Sequence, residues 1–143
     1  MMLDYRGYVA EATGANVFFV RDGVLHTPEP DCFLDGITRR SVIGLAKAKG
    51  FDVVQRHIKP EELSGFSECF IVGTAAEVTP VRSVDKQQVG NGSRGPVTKA
   101  LQQAFFDVIN GEVPDTHGWL TYVYADEAPL SGARGAVAAA AKG

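Results

Sequence analysis

Two short stretches carry the residue types from which an anion site can be built. In Asp35-Gly36-Ile37-Thr38-Arg39-Arg40 a glycine precedes the opening of an apolar-periodic segment. Glycine permits close approach to the backbone, and the first four N–H groups of a helix have no partner inside it. A phosphate suits such an end, because the open amides and the helix dipole both present positive charge. In Glu68-Cys69-Phe70-Ile71-Val72-Gly73-Thr74-Ala75-Ala76-Glu77 an apolar run ends in a glycine and a hydroxyl, followed by two alanines whose small side chains leave main-chain amides accessible. Set together, the two elbows would form a two-sided cup. Each alone also has an ordinary explanation: a helix cap for Gly36-Ile37-Thr38, and a close-packed turn for Gly73 to Ala76.

The elements that must position these elbows follow from local patterning. Val17 to Val20 and Val24 to Thr27 are β-rich runs separated by Arg21-Asp22-Gly23, and Asp-Gly tolerates the positive φ of a tight hairpin. From Ile37, the spacing of Val42, Leu45 and Ala46, with Ile43 at the border, predicts a helix ended by Gly50 in the left-handed C′ position. Phe51 to Ile58 reads as a strand, Lys59 to Gly65 as one helical turn opened by Pro60, and Cys69 to Val72 as a buried strand. Val97, Leu101, Phe105, Val108 and Ile109 recur at helical spacing between Pro96 and Gly111. At the start, Met1-Met2-Leu3 reads as half a strand with nothing upstream to pair it, running into a turn at Asp4 to Gly7. The stretch from Ser131 is Ala/Gly-rich and reads as a frayed helix or a disordered tail.

Composition narrows the function classes. The 143 residues suit a single domain over 1–130 plus the tail 131–143, with no linker or internal repeat. Fourteen basic against seventeen acidic residues give a net charge of -3, which offers no field for nucleic acid or an anionic membrane. No apolar run nears the roughly 20 residues that cross a bilayer. Cys32 and Cys69 lack metal-type spacing and no signal-peptide pattern opens the chain, so a reduced, cytoplasmic protein is expected. His26, His57 and His117 are scattered and suggest neither a metal site nor a triad.

The blocks Gly7 to Pro28, Asp31 to Ile58, Glu68 to Val84 and Gly95 to Val123 together resemble the C-terminal part of branched-chain amino-acid aminotransferases, class IV pyridoxal-phosphate enzymes. The resemblance runs from about Leu3 to Val123, with several motifs in order. It implies an α+β fold, an incomplete pseudobarrel of mostly antiparallel strands with flanking helices. It also implies a homodimer and amino transfer between Leu, Ile or Val and 2-oxoglutarate. Glu11 corresponds to the carboxylate that faces the cofactor's pyridine nitrogen. Without the family, it reads as an exposed strand residue. Ile37 and Thr38 correspond to phosphate-binding positions through their amides and the Thr38 hydroxyl, and Thr74 to a further phosphate ligand. The amides of Thr74 and Ala75 fall where the family holds the substrate carboxylate. Asn16 falls where the family often has a residue behind the cofactor, although an Asn two residues after Gly14 ordinarily belongs to a turn. Glu77 and Arg82 read as structural contacts beside the cup, and Trp119 and Tyr122 as packing or interface residues.

The departures bear on activity. In the family the Schiff-base lysine lies several tens of residues before the position of Glu11. Lys47, Lys49, Lys59, Lys86, Lys99 and Lys142 do not match it. The family's N-terminal domain, an Arg on the phosphate and a Tyr near the cofactor are likewise unmatched. The expectation is a truncated aminotransferase portion, inactive alone. The alternatives are a non-catalytic cofactor-binding or split-enzyme subunit, or a fragment of a D-amino-acid aminotransferase or aminodeoxychorismate lyase. Asp35 stands where many relatives have Pro, which would loosen the approach to the phosphate helix, and Lys86 where Gly often follows Asp. An incomplete barrel leaves strand edges open, so dimerisation or strand swapping is expected.

Overall fold

A computed structural model describes residues 1–123, so the Ala/Gly-rich stretch from Ser131 lies outside the described residues. Residues 1–105 form one compact unit and those from Phe106 a second. The first unit is built on a five-stranded sheet in the order β3-β2-β1-β4-β5, with β1 (Asn16–Arg21), β2 (Val24–Thr27), β3 (Val53–Gln55), β4 (Glu68–Gly73) and β5 (Glu77–Pro80). Only the β2–β3 pair is parallel. A separate ribbon pairs β6 (Ser83–Val84) with β7 (Gln87–Gln88). Two helices, α1 (Ile37–Ala48) and α2 (Pro96–Ile109), complete the α+β architecture, with a 3-10 turn over Pro60–Gly65.

The hairpin expected around Asp22-Gly23 forms, with Asp22 at φ 52 and Gly23 at φ 78. Positive φ at both central residues gives a turn whose twist matches that of the flanking strands. Helix α1 ends as its sequence predicts. The Gly50 amide donates to Lys47 O at 3.0 Å and the Phe51 amide to Ala46 O at 2.9 Å, the paired bonds of a Schellman motif. The strand expected from Phe51 to Ile58 is confined to Val53–Gln55. Past it the Arg56 amide still donates to Thr27 O at 3.1 Å and Arg56 O accepts the Glu29 amide at 3.3 Å, and beyond it Ile58 O instead accepts the Val9 amide at 2.8 Å.

β1 is buried on both faces. Its alternation sends Val17 and Phe19 into a cluster with Val9, Ile58, Phe66, Cys69, Val84 and Val89. Phe18 on the opposite face stacks on Phe70 of β4 with ring centroids 5.1 Å apart. Helix α1 packs against β3 and β4. The N-terminal residues are not an unpaired half-strand: Leu3 bridges Val9, the Asp4 amide donates to Tyr8 O at 2.8 Å, and the Met2 amide donates to Glu11 O at 2.8 Å. The turn at Asp4 to Gly7 folds this segment back on its own chain. The turn of the β6–β7 ribbon places Asp85 at φ 48 and Lys86 at φ 66, so Lys86 occupies a conformation that glycine adopts without strain.

The second unit carries the end of α2. The Gly111 amide donates to Val108 O at 3.0 Å and the Glu112 amide to Asp107 O at 2.8 Å, a Schellman ending as at Gly50. The Asp115 carboxylate then accepts the Leu120 amide at 2.7 Å, and His117 stacks on Trp119 at 4.1 Å. Backbone donors, Leu120 first, hold the Asp115 carboxyl below its ordinary range.

Candidate active site: two elbows on one strand start

Both glycine elbows pack against residues 14–16, at and just before the start of β1. A Cβ on Gly36 would lie 2.5 Å from Asn16 Oδ1, and one on Gly73 would lie 3.2 Å from Gly14 O and 3.7 Å from Ala15 Cα. Gly14, Ala15 and Asn16 are therefore flanked by the start of α1 and by the end of β4. The β1–β4 register produces half of this, because Asn16 opposite Val72 sets Ala15 beside Gly73. The other half comes from Asn16, whose Nδ2 donates to Leu34 O at 2.9 Å and so ties β1 to the segment leading into α1. Asn16 is thus not a turn residue. It opens β1, is buried, and packs against Gly36.

Each elbow has the local chemistry of an anion site. Gly36 is the N-cap of α1, with no side-chain cap bond and no acidic residue in the first turn. The β4–β5 connection runs through Thr74, Ala75 and Ala76 to Glu77 at φ 49. It is steadied by Thr79 Oγ1, which donates to Ala76 O at 2.7 Å. Ile37, Thr74 and Ala75 are exposed, and Thr38 and Glu11 are half-buried. Among the described residues, the hydroxyls of Thr38 and Thr74 and the carboxylate of Glu11 have no hydrogen-bond partner. Glu11 immediately precedes Ala12, whose amide and carbonyl both pair with Ala15, at 2.8 and 3.2 Å. The tight turn Thr13-Gly14 thereby brings the backbone of this acid-bearing segment beside the start of β1. These residues fit a phosphate: open amides at a glycine-led helix end, hydroxyls free to donate, and no competing carboxylate in the first turn.

Asp35 does not loosen the segment ahead of α1. Its carboxylate accepts from Arg39 Nη1 at 2.7 Å and its backbone oxygen from Arg40 Nη1 at 2.8 Å, so two arginines of the first turn grip the residue before the N-cap. Sequence reasoning passed over Arg39, which is buried, and Glu68, whose carboxylate accepts the Val97 amide at 3.1 Å, the Thr98 amide at 2.8 Å and the Thr98 hydroxyl at 2.6 Å. The signal for Glu68 was a charged residue at the head of a buried strand; for Arg39 it was a position within the helix's first turn.

Several other charged groups bond among themselves. Asp4, Asp31 and Cys32 lie close together, but Arg6 bonds both carboxylates, at 2.9 Å to Asp4 and at 2.7 and 2.8 Å to Asp31. His57 bonds Asp31 at 3.0 Å, and Arg56 Nε donates to His26 Nδ1 at 3.3 Å. Bonds from Arg56 hold Glu62 down at about 2, while burial pushes the Cys69 thiol up to about 12. Both cysteines are free thiols. No helix among the described residues is long and apolar enough to cross a membrane.

The chain has relatives among known proteins. The family model for amino-transferase class IV matches residues 1–84, and the chain belongs to that family. It is 48% identical over 123 residues to the branched-chain-amino-acid aminotransferase of Pseudomonas aeruginosa, covering 86% of this chain and 40% of that one. It is 52% identical over 122 residues to the enzyme of the same name from Escherichia coli (strain K12), covering 85% and 40%. Among solved structures, the T.th. branched-chain amino acid aminotransferase complexed with N-(5'-phosphopyridoxyl)-L-glutamate superposes with a TM-score of 0.84 at 45% identity, covering 87% of this chain and 42% of that one. The chain therefore corresponds to a portion of such an enzyme, spanning about 40% of the length of the curated relatives it matches.

Proposed function

We propose that the chain is the cofactor-binding portion of a pyridoxal-phosphate-dependent branched-chain amino-acid aminotransferase. The observation that carries this reading is the contact of both glycine elbows with residues 14–16. In it, the amides of Ile37 and Thr38 and the hydroxyls of Thr38 and Thr74 hold the phosphate. Glu11 faces the pyridine nitrogen and favours its protonated form, and the amides of Thr74 and Ala75 hold a substrate carboxylate. When bound, the cofactor supplies an electron sink for cleavage at the substrate's Cα. The substrates are an amino acid and a 2-oxo acid, and the working unit is a homodimer. By the resemblance none of the chain's lysines matches the family's nucleophile, so this portion alone binds without turnover.

Titration of pyridoxal phosphate into the purified chain tests the reading. Thr38→Val and Thr74→Val each weaken binding about tenfold, the worth of one hydrogen bond to a charged group. Borohydride treatment followed by mass spectrometry finds no stoichiometric adduct on one defined lysine. A single-site adduct, or binding indifferent to both substitutions, would overturn it.

A further inference from the structure

The first turn of α1 is gripped from behind by a side-chain system that takes no part in the proposed phosphate contacts. Arg39 is only 1% exposed and heads the large fully buried side chains among the described residues. Its Nη1 donates to Asp35 at 2.7 Å, and its Nη2 donates to Pro28 O at 3.0 Å and to Gln55 Oε1 at 2.7 Å. Its Nε is buried without a partner among the described residues. A buried guanidinium is costly to desolvate, and its rigid fork allows its partners little freedom. Those partners lie on three separate pieces of chain: the residue before the N-cap, the segment following β2, and edge strand β3. Arg40 adds a bond to Asp35 O from the same turn. Gly36 lies between Asp35 and the helix, with Asn16 against its open side, so the backbone leading into Ile37 and Thr38 is fixed from both directions.

We propose that Arg39, clasped by Asp35 and Gln55, is a positioning residue for the phosphate elbow: it sets the backbone of Gly36, Ile37 and Thr38 before an anion arrives, so that binding orders little. The inference rests on the phosphate reading above. It makes a prediction of unusual sign. Asp35 puts a negative charge one residue from the N-cap, so electrostatics alone says that its removal tightens anion binding. The clasp says the reverse, because removal frees the guanidinium and loosens the elbow.

The experiment is a titration of inorganic phosphate into the full chain, followed by the backbone amide signals of Ile37 and Thr38, for the natural sequence, Asp35→Ala and Gln55→Ala. Gln55 is exposed and is none of the proposed phosphate ligands, so its truncation removes one partner of the guanidinium without touching the anion contacts. The expected result is phosphate affinity about fivefold to tenfold lower in both variants, with lower 15N order parameters at residues 36–38 without phosphate. Affinity that is unchanged in both, or raised in Asp35→Ala, overturns the clasp while leaving the phosphate site standing. Absence of any phosphate-induced shift at Ile37 and Thr38 in the natural sequence overturns the phosphate reading and the clasp with it.

Discussion

Both α-helices among the described residues begin at a glycine, and the two ends are used in opposite ways. At α2 the Lys99 amide donates to Gly95 O at 3.0 Å, as the Arg40 amide donates to Gly36 O at 3.1 Å at α1. Each glycine gives up its Cβ to a side chain arriving from the sheet: the Glu68 carboxylate at Gly95, the Asn16 carboxamide at Gly36. Glu68 turns onto the helix and accepts two amides and a hydroxyl. Asn16 turns away, donates to Leu34 O, and leaves the α1 amides with no side-chain cap. A helix N-terminus attracts an anion wherever it occurs. Here one end is closed by an internal carboxylate, while the other has its backbone arranged and its donors left open. The difference teaches that a glycine N-cap marks close approach, and that the side chain meeting it decides whether the end is structural or available.

Substitutions at the two ends separate these roles. Glu68→Ala strands two amides and a hydroxyl at the α2 end and should lower stability by about 3 kcal/mol in chemical denaturation. A loss below about 1 kcal/mol would mean that α2 does not depend on this cap. Gly95→Ala and Gly36→Ala each force a side chain aside and should cost about 1 to 2 kcal/mol, but only Gly36→Ala should weaken phosphate binding. Equal effects on phosphate would dissolve the distinction. The smallest effect lies away from both ends, at the Glu62–Arg56 pair. Bonds from Arg56 hold Glu62 at about 2, against 4.5 ordinarily. Its contribution is complete above about pH 4.5 and fades as pH falls through about 2. Solvent screening keeps it below about 1 kcal/mol, and Arg56→Ala should flatten this part of the stability–pH curve.

The hairpin at Asp22-Gly23, the Gly50 and Gly111 helix ends and the period of each helix were legible because each is decided within a few residues. The elbows were legible as glycine followed by hydroxyl or small residues. That both pack against residues 14–16 was not, because it depends on β1–β4 register and on Asn16 reaching Leu34, eighteen residues away. The extent of β3 was misread for a similar reason: Phe51 to Ile58 has strand composition, but the competing partner for its far end is Val9. Asp35 was misjudged because its helix-breaking alternative, Pro, is a local consideration, whereas its actual partners are two arginines of the following turn.

The sequence by itself determined the turns, caps and helix periods, and the ordered motifs that place the chain among class IV aminotransferases, since all of these are written in residues close along the chain. Only the tertiary structure decided that both elbows flank Gly14, Ala15 and Asn16, that Glu68 closes one helix end, and that Arg39 holds the other from behind. Those outcomes belong to hydrogen bonds and packing between distant segments, and no local preference of any residue encodes which distant partner it will meet.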